Sequence, residues 1–234
     1  DHNTLELLVQ ISNFHHPRGG MWDPVRLGKA LQIVGMQRYL AWFNTFLLGG
    51  LLLMALYHIG IFLMRSSDRA SLFFGILCLI IALRVLFEGD RMIMEMFPWI
   101  SWEINEKMSY LTYYGALVVI SLYIYYLFPD IYSRSMVRIC TCIGLCFCII
   151  VIVLTSRYYY YSRYPYDANL AFWAAYDMYV IVRAVINRRE GAVYLSGGMV
   201  FLLAAVGLGV TPVYYQYSPA SEVILFAPRN LMDD

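Results

Sequence analysis

The stretch "SLFFGILCLIIALRVLF", residues Ser71–Phe87, decides the fold class. Arg84 is its single charged side chain, and the rest of the run is apolar or small. An α-helix needs about 20 mostly apolar residues to cross the hydrocarbon core of a bilayer. The stretch therefore predicts a transmembrane helix with one arginine near its C-terminal end.

Five further segments on both sides of this one have the same character. The whole chain is 61% hydrophobic and 14% charged, with a mean hydropathy of +0.60, whereas soluble domains are about half apolar and a quarter charged. We predict an all-α polytopic membrane helix bundle with six visible spans and a seventh that is missing or truncated. The predicted spans are Tyr39–Met64, Ser71–Phe87, Met108–Phe128, Met136–Leu154, Leu170–Ile186 and Val193–Val210.

The loops between these spans differ in charge from one side of the membrane to the other. Alternate loops contain "RSSDR", "DIYSRSMVR" and "NRREG", and short arginine-rich loops of this kind favour the cytoplasmic side. The opposite loops contain "EGDRMIMEMFPWISWEINEK" and "SRYYYYSRYPYD", whose aromatic rings favour the membrane interface. We therefore expect the N-terminus to lie outside.

The first residues differ from the rest of the chain. "LELLVQIS" is rich in Leu, Val and Ile and is followed by the turn-forming "HHPRGG", which is typical of a strand and its turn. A lone strand is not stable, and no signal peptide precedes it, so we expect the given chain to be a fragment. We divide it into the end of an extracytoplasmic β-domain with its linker (1–35), the transmembrane bundle (36–211) and an extracytoplasmic or interfacial C-terminal segment (212–234).

Arg84 is the sharpest candidate for a functional residue. Spacings of four and three place Arg84, Glu88 and Arg91 on one face of a helix, and an arginine at this depth needs a carboxylate, carbonyl groups or water. These three residues predict a polar switch near the outer mouth of the bundle. The alternative is a snorkelling arginine with a local ion pair at the interface.

Asp177 lies near the middle of the fifth predicted span, in "AFWAAYDMYVIVR". A carboxyl group at this depth must face the bundle interior. One hypothesis, based only on the sign of the charges, pairs Asp177 with Arg84. The alternatives are a protonated aspartic acid that is hydrogen-bonded to tyrosines, or a span that begins later and leaves Asp177 near the surface.

His58 completes the set of candidate switch residues. As a lone histidine in the first span, it is better interpreted as a hydrogen-bonded contact between helices than as a metal or haem ligand. All five cysteines lie inside apolar segments and are interpreted as small, neutral packing residues. We therefore predict no cofactor and no metal.

Several functional classes have no support in the sequence. There is no Gly-rich phosphate loop and no Ser/His/Asp set outside the spans, and the only lysines, Lys29 and Lys107, are not placed for a retinal Schiff base. A net charge of +1 without a basic tail gives no reason to expect nucleic acid. We expect no enzyme within this chain and a lipid bilayer as its surroundings.

Several motifs, in the same order, resemble bacterial seven-transmembrane receptors with diverse intracellular signalling modules. They are "LVQISNFHHPRGGMWDPVRLG", "LYHIGIFLMRSSDRASLFFGILCLIIALRVLFEGDR", "FPWISWEINEKMSYLTYYG" and "YYLFPD", with a weaker similarity through "VIVRAVINRREGA". The resemblance implies an extracellular β-sandwich sensor of a carbohydrate-binding type, seven helices and a cytoplasmic output domain. "VTPVYYQYSP" departs from the family pattern, in which an Asn-Asp turn and a seventh span follow the sixth.

The resemblance favours one function over two alternatives. It implies the transmembrane domain of a receptor in the bacterial cytoplasmic (inner) membrane, which relays binding of an extracytoplasmic ligand, carbohydrate-like in chemistry, to an output module absent from this chain. A homodimer or a larger membrane assembly is the expected state. The alternatives are a structural or accessory subunit of a larger membrane complex, and a small transporter or channel, against which the spans show no inverted repeat.

Overall fold

The computed structural model describes residues 30–87, 93 and 97–198. All regular structure in these ranges is helical, and they contain no strand. The chain divides into two units by its internal contacts, of which the second comprises Leu40–Ala205. Residues 30–39 are the described part of the first unit, and they are helical.

Some predictions lie outside the described residues and remain predictions. They concern the strand near the N-terminus, Glu88, Arg91, most of the sixth span and the segment 212–234. The segment 1–35 is described only from residue 30 onward, and these described residues belong to the helix Ala30–Met64.

Six helices are described in full. They are α1 (Ala30–Met64), α2 (Arg69–Phe87), α3 (Trp102–Leu127), α4 (Arg134–Val153), α5 (Ser156–Tyr159), which continues into the 3-10 turn Tyr160–Ser162, and α6 (Arg163–Ile186). Within the described ranges, five segments are long and apolar enough to cross a membrane, namely Ala41–Met64, Arg69–Phe87, Trp102–Leu127, Arg134–Val153 and Ser156–Ile186. The first five predicted spans are therefore confirmed as membrane-length helices, and of the sixth only the helical start, up to residue 198, is described.

The third span begins earlier than predicted, at Trp102 rather than Met108. Ser101 caps the helix, since its Oγ accepts a hydrogen bond of 3.3 Å from a backbone N–H of the first turn. Glu103 and Lys107 then form an ion pair of 3.2 Å one turn apart. Capping and ion pairs of this spacing stabilise a polar first turn, which an apolar pattern does not reveal.

Helix α3 is the central element of the bundle, because α2, α4 and α6 all pack against it. The α3–α4 contact is close at Gly144, where an added Cβ would collide with the side chain of Val118. A similar approach joins α2 to α1, since a Cβ at Gly75 would lie 2.9 Å from Ile59. Small residues of this kind allow membrane helices to approach one another closely.

The three arginine-rich loops lie at one end of the bundle, which we call the arginine end. Arg69, at the start of α2, donates a hydrogen bond of 3.3 Å to the hydroxyl of Tyr126 near the end of α3. Asp130, which follows α3, pairs with Arg189 beyond α6 at 2.8 Å. We call the opposite end, where α2 ends and α3 and α6 begin, the tyrosine end.

Each end has its own buried apolar cluster. At the arginine end the cluster comprises Ile124, Phe128, Tyr132, Val137, Val180, Ile181, Ala184 and Ala192. Toward the tyrosine end it comprises Tyr114, Leu117, Cys140, Val151, Tyr159, Tyr166 and Trp173. The clusters join α3, α4 and α6 along their length, so these helices form the packed core of the described bundle.

Specific caps fix two of the loops at the arginine end. Asp68 accepts hydrogen bonds from the backbone N–H of Ser71 (3.2 Å) and from its hydroxyl (2.7 Å), and the Ser71 side chain holds the pKa of Asp68 below its ordinary value. After α6, Arg188 has a φ of 51°, and the N–H of Arg189 bonds to the carbonyl of Ala184 at 3.0 Å. This is a Schellman cap with arginine where glycine is usual.

Candidate functional site

Asp177 is buried in the bundle core near the arginine end, with 2% of its surface exposed. Its Oδ1 accepts a hydrogen bond of 2.9 Å from the hydroxyl of Tyr132, in the loop between α3 and α4. Its Oδ2 accepts one of the same length from Ser121 on α3. We call these three residues the carboxyl cluster. Both carboxyl oxygens have a donor, as a polar group buried in a membrane bundle requires.

The carboxyl cluster connects three elements. Asp177 belongs to α6, Ser121 to α3, and Tyr132 to the loop that leads into α4. On α4, the thiol of Cys140 approaches the hydroxyl of Ser121 at 3.6 Å. These hydrogen bonds, together with apolar packing, therefore fix the position of α6 relative to α3 and α4.

Further contacts hold the same loop against α6. The backbone N–H of Ser133 donates to the hydroxyl of Tyr176 at 3.3 Å, and the rings of Tyr132 and Tyr176 meet edge to face with centroids 5.1 Å apart. The ion pair of Asp130 with Arg189 adds an exposed contact. These contacts therefore hold the loop after α3 against the C-terminal half of α6.

Arg84 is half-buried at the tyrosine end. Its Nη1 lies 3.5 Å from the carbonyl oxygen of Ser109, and its guanidinium carbon lies 5.1 Å from the ring centroid of Tyr113, a favourable cation–π distance. Tyr113 donates a hydrogen bond of 2.8 Å to Asp167 on α6. Arg163 completes this group, which we call the arginine–tyrosine cluster, with its Nε 3.8 Å from Asp167.

The hypothesis that Arg84 pairs with Asp177 is not supported. Their contacts on α3, Ser109 and Ser121, are separated by about 18 Å of helix at roughly 1.5 Å per residue. Arg84 lies near the C-terminal end of α2 and Asp177 in the C-terminal half of α6, and these helices run in opposite directions between the two ends. Opposite charge was the only argument for this pair, and charge says nothing about depth. Asp177 instead has hydroxyl partners, one of them a tyrosine.

His58 contacts α2 through aromatic rings. Its ring meets that of Phe74 edge to face, with centroids 4.5 Å apart. Its Nδ1 is buried and has no hydrogen-bond partner in the described part of the chain. The predicted contact between helices is present, and the structure shows an aromatic packing contact where we expected a hydrogen bond.

Sequence reasoning missed a set of buried tyrosines at the tyrosine end. Tyr159 and Tyr166 are almost completely buried, although they belong to the tyrosine-rich loop that we interpreted as interfacial. Tyr114 on α3 is equally buried. The hydroxyls of Tyr114 and Ser162 are 2.7 Å apart, and Tyr166 donates to the carbonyl of Tyr114 at 3.1 Å. The density of tyrosine in "SRYYYYSRYPYD" was the available signal, but it does not show which rings face the core.

The described residues contain no arrangement suited to a metal. No group of three or more His, Cys, Asp or Glu residues in this part of the chain could hold a metal ion. The five cysteines are free thiols. Cys78 and Cys140 are buried between helices, and Cys142 and Cys146 lie on the outer face of α4.

Comparison with known families identifies the bundle. The profile of a family described as 7TM diverse intracellular signalling matches residues 40–227. The chain belongs to this family. The match contains both polar clusters, and it continues to residue 227, beyond the "VTPVYYQYSP" stretch that we expected to depart from the family pattern. No curated protein and no solved structure matches the chain. It is a multi-pass membrane domain of a receptor-type family that is not known as catalytic.

Proposed function

We propose that this chain is the transmembrane domain of a bacterial signalling receptor. It relays binding of a ligand by an extracytoplasmic domain to a cytoplasmic output module absent from this chain. Family membership supports a signalling membrane domain. The observation that carries the relay is that α3 and α6 are joined by a polar cluster at each end, with Tyr113 and Asp167 at one and Ser121 and Asp177 at the other.

Two linked clusters provide a way to transmit a movement. A shift of α2 at Arg84 disturbs Tyr113, and through it the hydrogen bond to Asp167 on α6. A sliding or rotation of α6 against α3 then changes the geometry at Asp177. Packed helices with directional bonds tend to adopt discrete arrangements rather than deform continuously, so the arginine end reports events at the tyrosine end.

The orientation follows from the loops. The arginine-rich loops lie together at one end of the bundle, which supports a cytoplasmic position for that end. The tyrosine end and the N-terminus then lie outside, in the bacterial cytoplasmic (inner) membrane. A homodimer or larger assembly, and a carbohydrate-like ligand of the extracytoplasmic domain, are part of this proposal through the family resemblance.

The test uses the natural full-length protein. Its intact mass and terminal peptides, measured after purification from the native membrane, identify any domains that precede or follow the given chain. An output domain beyond the bundle supports the receptor. A native protein that lacks an output domain and is purified with a constant set of membrane partners contradicts the proposal and favours an accessory subunit. Solute flux in proteoliposomes that is abolished by Asp177→Asn would favour a transporter.

The activity of that output domain then tests the relay. Tyr132→Phe removes one hydroxyl from the carboxyl cluster, and we expect it to change basal or stimulated output. Tyr179→Phe is the matched control, because Tyr179 is exposed on the same end of α6. Equal output from both variants and the wild type would contradict a role for the carboxyl cluster.

A further inference from the structure

The outer face of α4 carries an open groove near the arginine end, which we call the α4 groove. The described residues that line it follow one another at spacings of three and one, and they are Ser135, Arg138, Ile139, Cys142 and Ile143. The volume of the groove is about 350 Å³, which falls within the range of about 300–1,000 Å³ for small-molecule sites. The buried residues of α4 lie on its opposite face, so the groove faces the lipid.

The positive charge at the arginine end of the groove has no counter-ion in this part of the chain. Residues 131–166 contain no acidic side chain, and Asp130, just before them, is paired with Arg189. Within the described ranges, neither Arg134 nor Arg138 forms an ion pair. The one hydrogen bond that the Arg138 side chain makes to described residues runs from its Nε to the carbonyl of Arg134, at 3.2 Å. Its terminal N–H groups are therefore available for an anion.

Beyond Arg138, the same face of α4 is apolar over the depth of one leaflet. It continues through Ile139, Cys142, Cys146 and Ile149, all of which are exposed. At roughly 1.5 Å per residue, the helix rises about 15 Å from Ile139 to Ile149, which is half of a hydrocarbon core of about 30 Å. A guanidinium group followed by an apolar strip of this length matches a phosphate head group followed by one acyl chain.

Charge argues against a second copy of this chain on the same face. Two copies inserted in the same direction and paired through this face about a twofold axis would bring their Arg138 side chains together at one depth. Like charges that meet in a contact are unfavourable. A phospholipid with a negative head group supplies the missing charge and the apolar chain in one molecule.

We propose that the α4 groove is a binding site for an anionic phospholipid. The phosphate group is bound by Arg138 and Arg134, with the hydroxyl of Ser135 as an additional donor, and one acyl chain follows the helix past Ile139 and Cys142. Guanidinium groups suit this role because their paired N–H groups match phosphate oxygens. The site goes beyond the proposed signalling role and does not depend on it, since it requires only that this face of α4 lies in the membrane.

The test identifies the lipids that the full 234-residue chain retains. The protein is reconstituted in nanodiscs with equal amounts of phosphatidylglycerol and phosphatidylcholine that have the same acyl chains. Lipids that remain bound after transfer to a mild detergent are identified by native mass spectrometry, and a phosphatidylglycerol with a photoreactive acyl chain locates the site by the peptide that it labels. Arg138→Gln removes one guanidinium group from the groove. Arg188→Gln is the matched control, because Arg188 is exposed at the same end of the bundle and does not line the groove.

We expect the wild type to retain phosphatidylglycerol in preference to phosphatidylcholine, with the photoreactive label on residues 139–157. Arg138→Gln should weaken the retention of phosphatidylglycerol by roughly fivefold, as expected for the loss of one arginine that attracts an anionic lipid. Arg188→Gln should leave the retention unchanged.

Four results would overturn the proposal. They are equal retention of the two lipids by the wild type, equal losses in Arg138→Gln and Arg188→Gln, labels confined to peptides outside α4, and displacement of the lipid by glycerol phosphate. Glycerol phosphate has the head group without acyl chains, so its success would assign the arginines to a soluble anion. A dimer that carries no lipid and dissociates in Arg138→Gln would also contradict the proposal, in favour of a second copy of the chain.

Discussion

Removing the Tyr132 hydroxyl should destabilise the bundle in a way that depends on Asp177. Tyr132 is 2% exposed, so Tyr132→Phe keeps the packed ring and deletes only the 2.9 Å hydrogen bond to Oδ1. A buried acceptor left without its donor costs about 1–3 kcal/mol in proteins generally, and hydrogen bonds between membrane helices average about 0.6 kcal/mol with a maximum near 1.7. We therefore expect a loss of about 1 kcal/mol in the free energy of unfolding.

A double-mutant cycle isolates this bond. The cost of Tyr132→Phe should almost disappear in an Asp177→Ala background, which gives a coupling energy of about 1 kcal/mol. The matched cycle combines Asp177→Ala with Arg84→Gln, whose effects should add to within about 0.5 kcal/mol because the residues lie at opposite ends of the bundle. Reversible unfolding in mixed micelles, followed by tryptophan fluorescence, measures all the variants.

Two results would refute the reasoning. A coupling below about 0.3 kcal/mol between Tyr132 and Asp177 would mean that the hydrogen bond does not contribute to stability. A coupling of about 1 kcal/mol or more between Arg84 and Asp177 would support the ion pair that the structure does not show.

Other predictions concern helix packing and the arginine end. Gly144→Ala should lower the free energy of unfolding by about 1–3 kcal/mol, because the added Cβ would overpack against α3. The control Gly60→Ala, where nothing lies within 4 Å of the added Cβ, should be neutral or stabilising by less than about 1 kcal/mol. Chemical unfolding compares the two variants, and equal losses of stability would contradict the close contact between α3 and α4 at Gly144. Arg189→Gln should cost less than about 1 kcal/mol, since its pair with Asp130 is exposed, and the difference should shrink at about 1 M salt; a loss that salt does not change would contradict this. Asp68→Ala should cost about 1 kcal/mol at neutral pH. Because the pKa of Asp68 is lowered by its hydrogen bonds, the stabilisation is present above its ordinary pKa and is lost as the pH falls through the lowered value; a pH-independent difference between Asp68→Ala and wild type in thermal melts would argue against this cap.

The sequence predicts the helices well because one physical effect dominates them. In lipid, backbone polar groups must be satisfied within the helix, so long apolar runs such as Ser71–Phe87 leave little choice of structure. Helix α3 begins earlier than its apolar run because its first turn is stabilised by Ser101 and by the pair of Glu103 with Lys107, which hydropathy does not detect.

The candidate site was predictable in part. The burial of Asp177 follows from the cost of a carboxyl group in a membrane, but its partner Tyr132 lies in a loop, and no local pattern connects the two. The separation of Arg84 from Asp177 did not follow from the sequence, because Asp177 lies near the middle of the predicted span Leu170–Ile186. The structure places it in the C-terminal half of α6, since that helix begins at Arg163. The orientation of individual tyrosines such as Tyr166 depends on how α6 is rotated against α3, which composition does not specify.

Coupling between the two ends is the central claim, and amide hydrogen exchange tests it most directly. The perturbation is Tyr113→Phe at the tyrosine end, with Tyr158→Phe, whose side chain is 64% exposed, as the control. A coupling of about 1 kcal/mol predicts roughly fivefold faster exchange of amides in the loop 128–133 and the turn 187–191 for Tyr113→Phe, and no change for Tyr158→Phe. Faster exchange confined to the tyrosine end, with the arginine end equal to the wild type, would contradict the relay through α3 and α6.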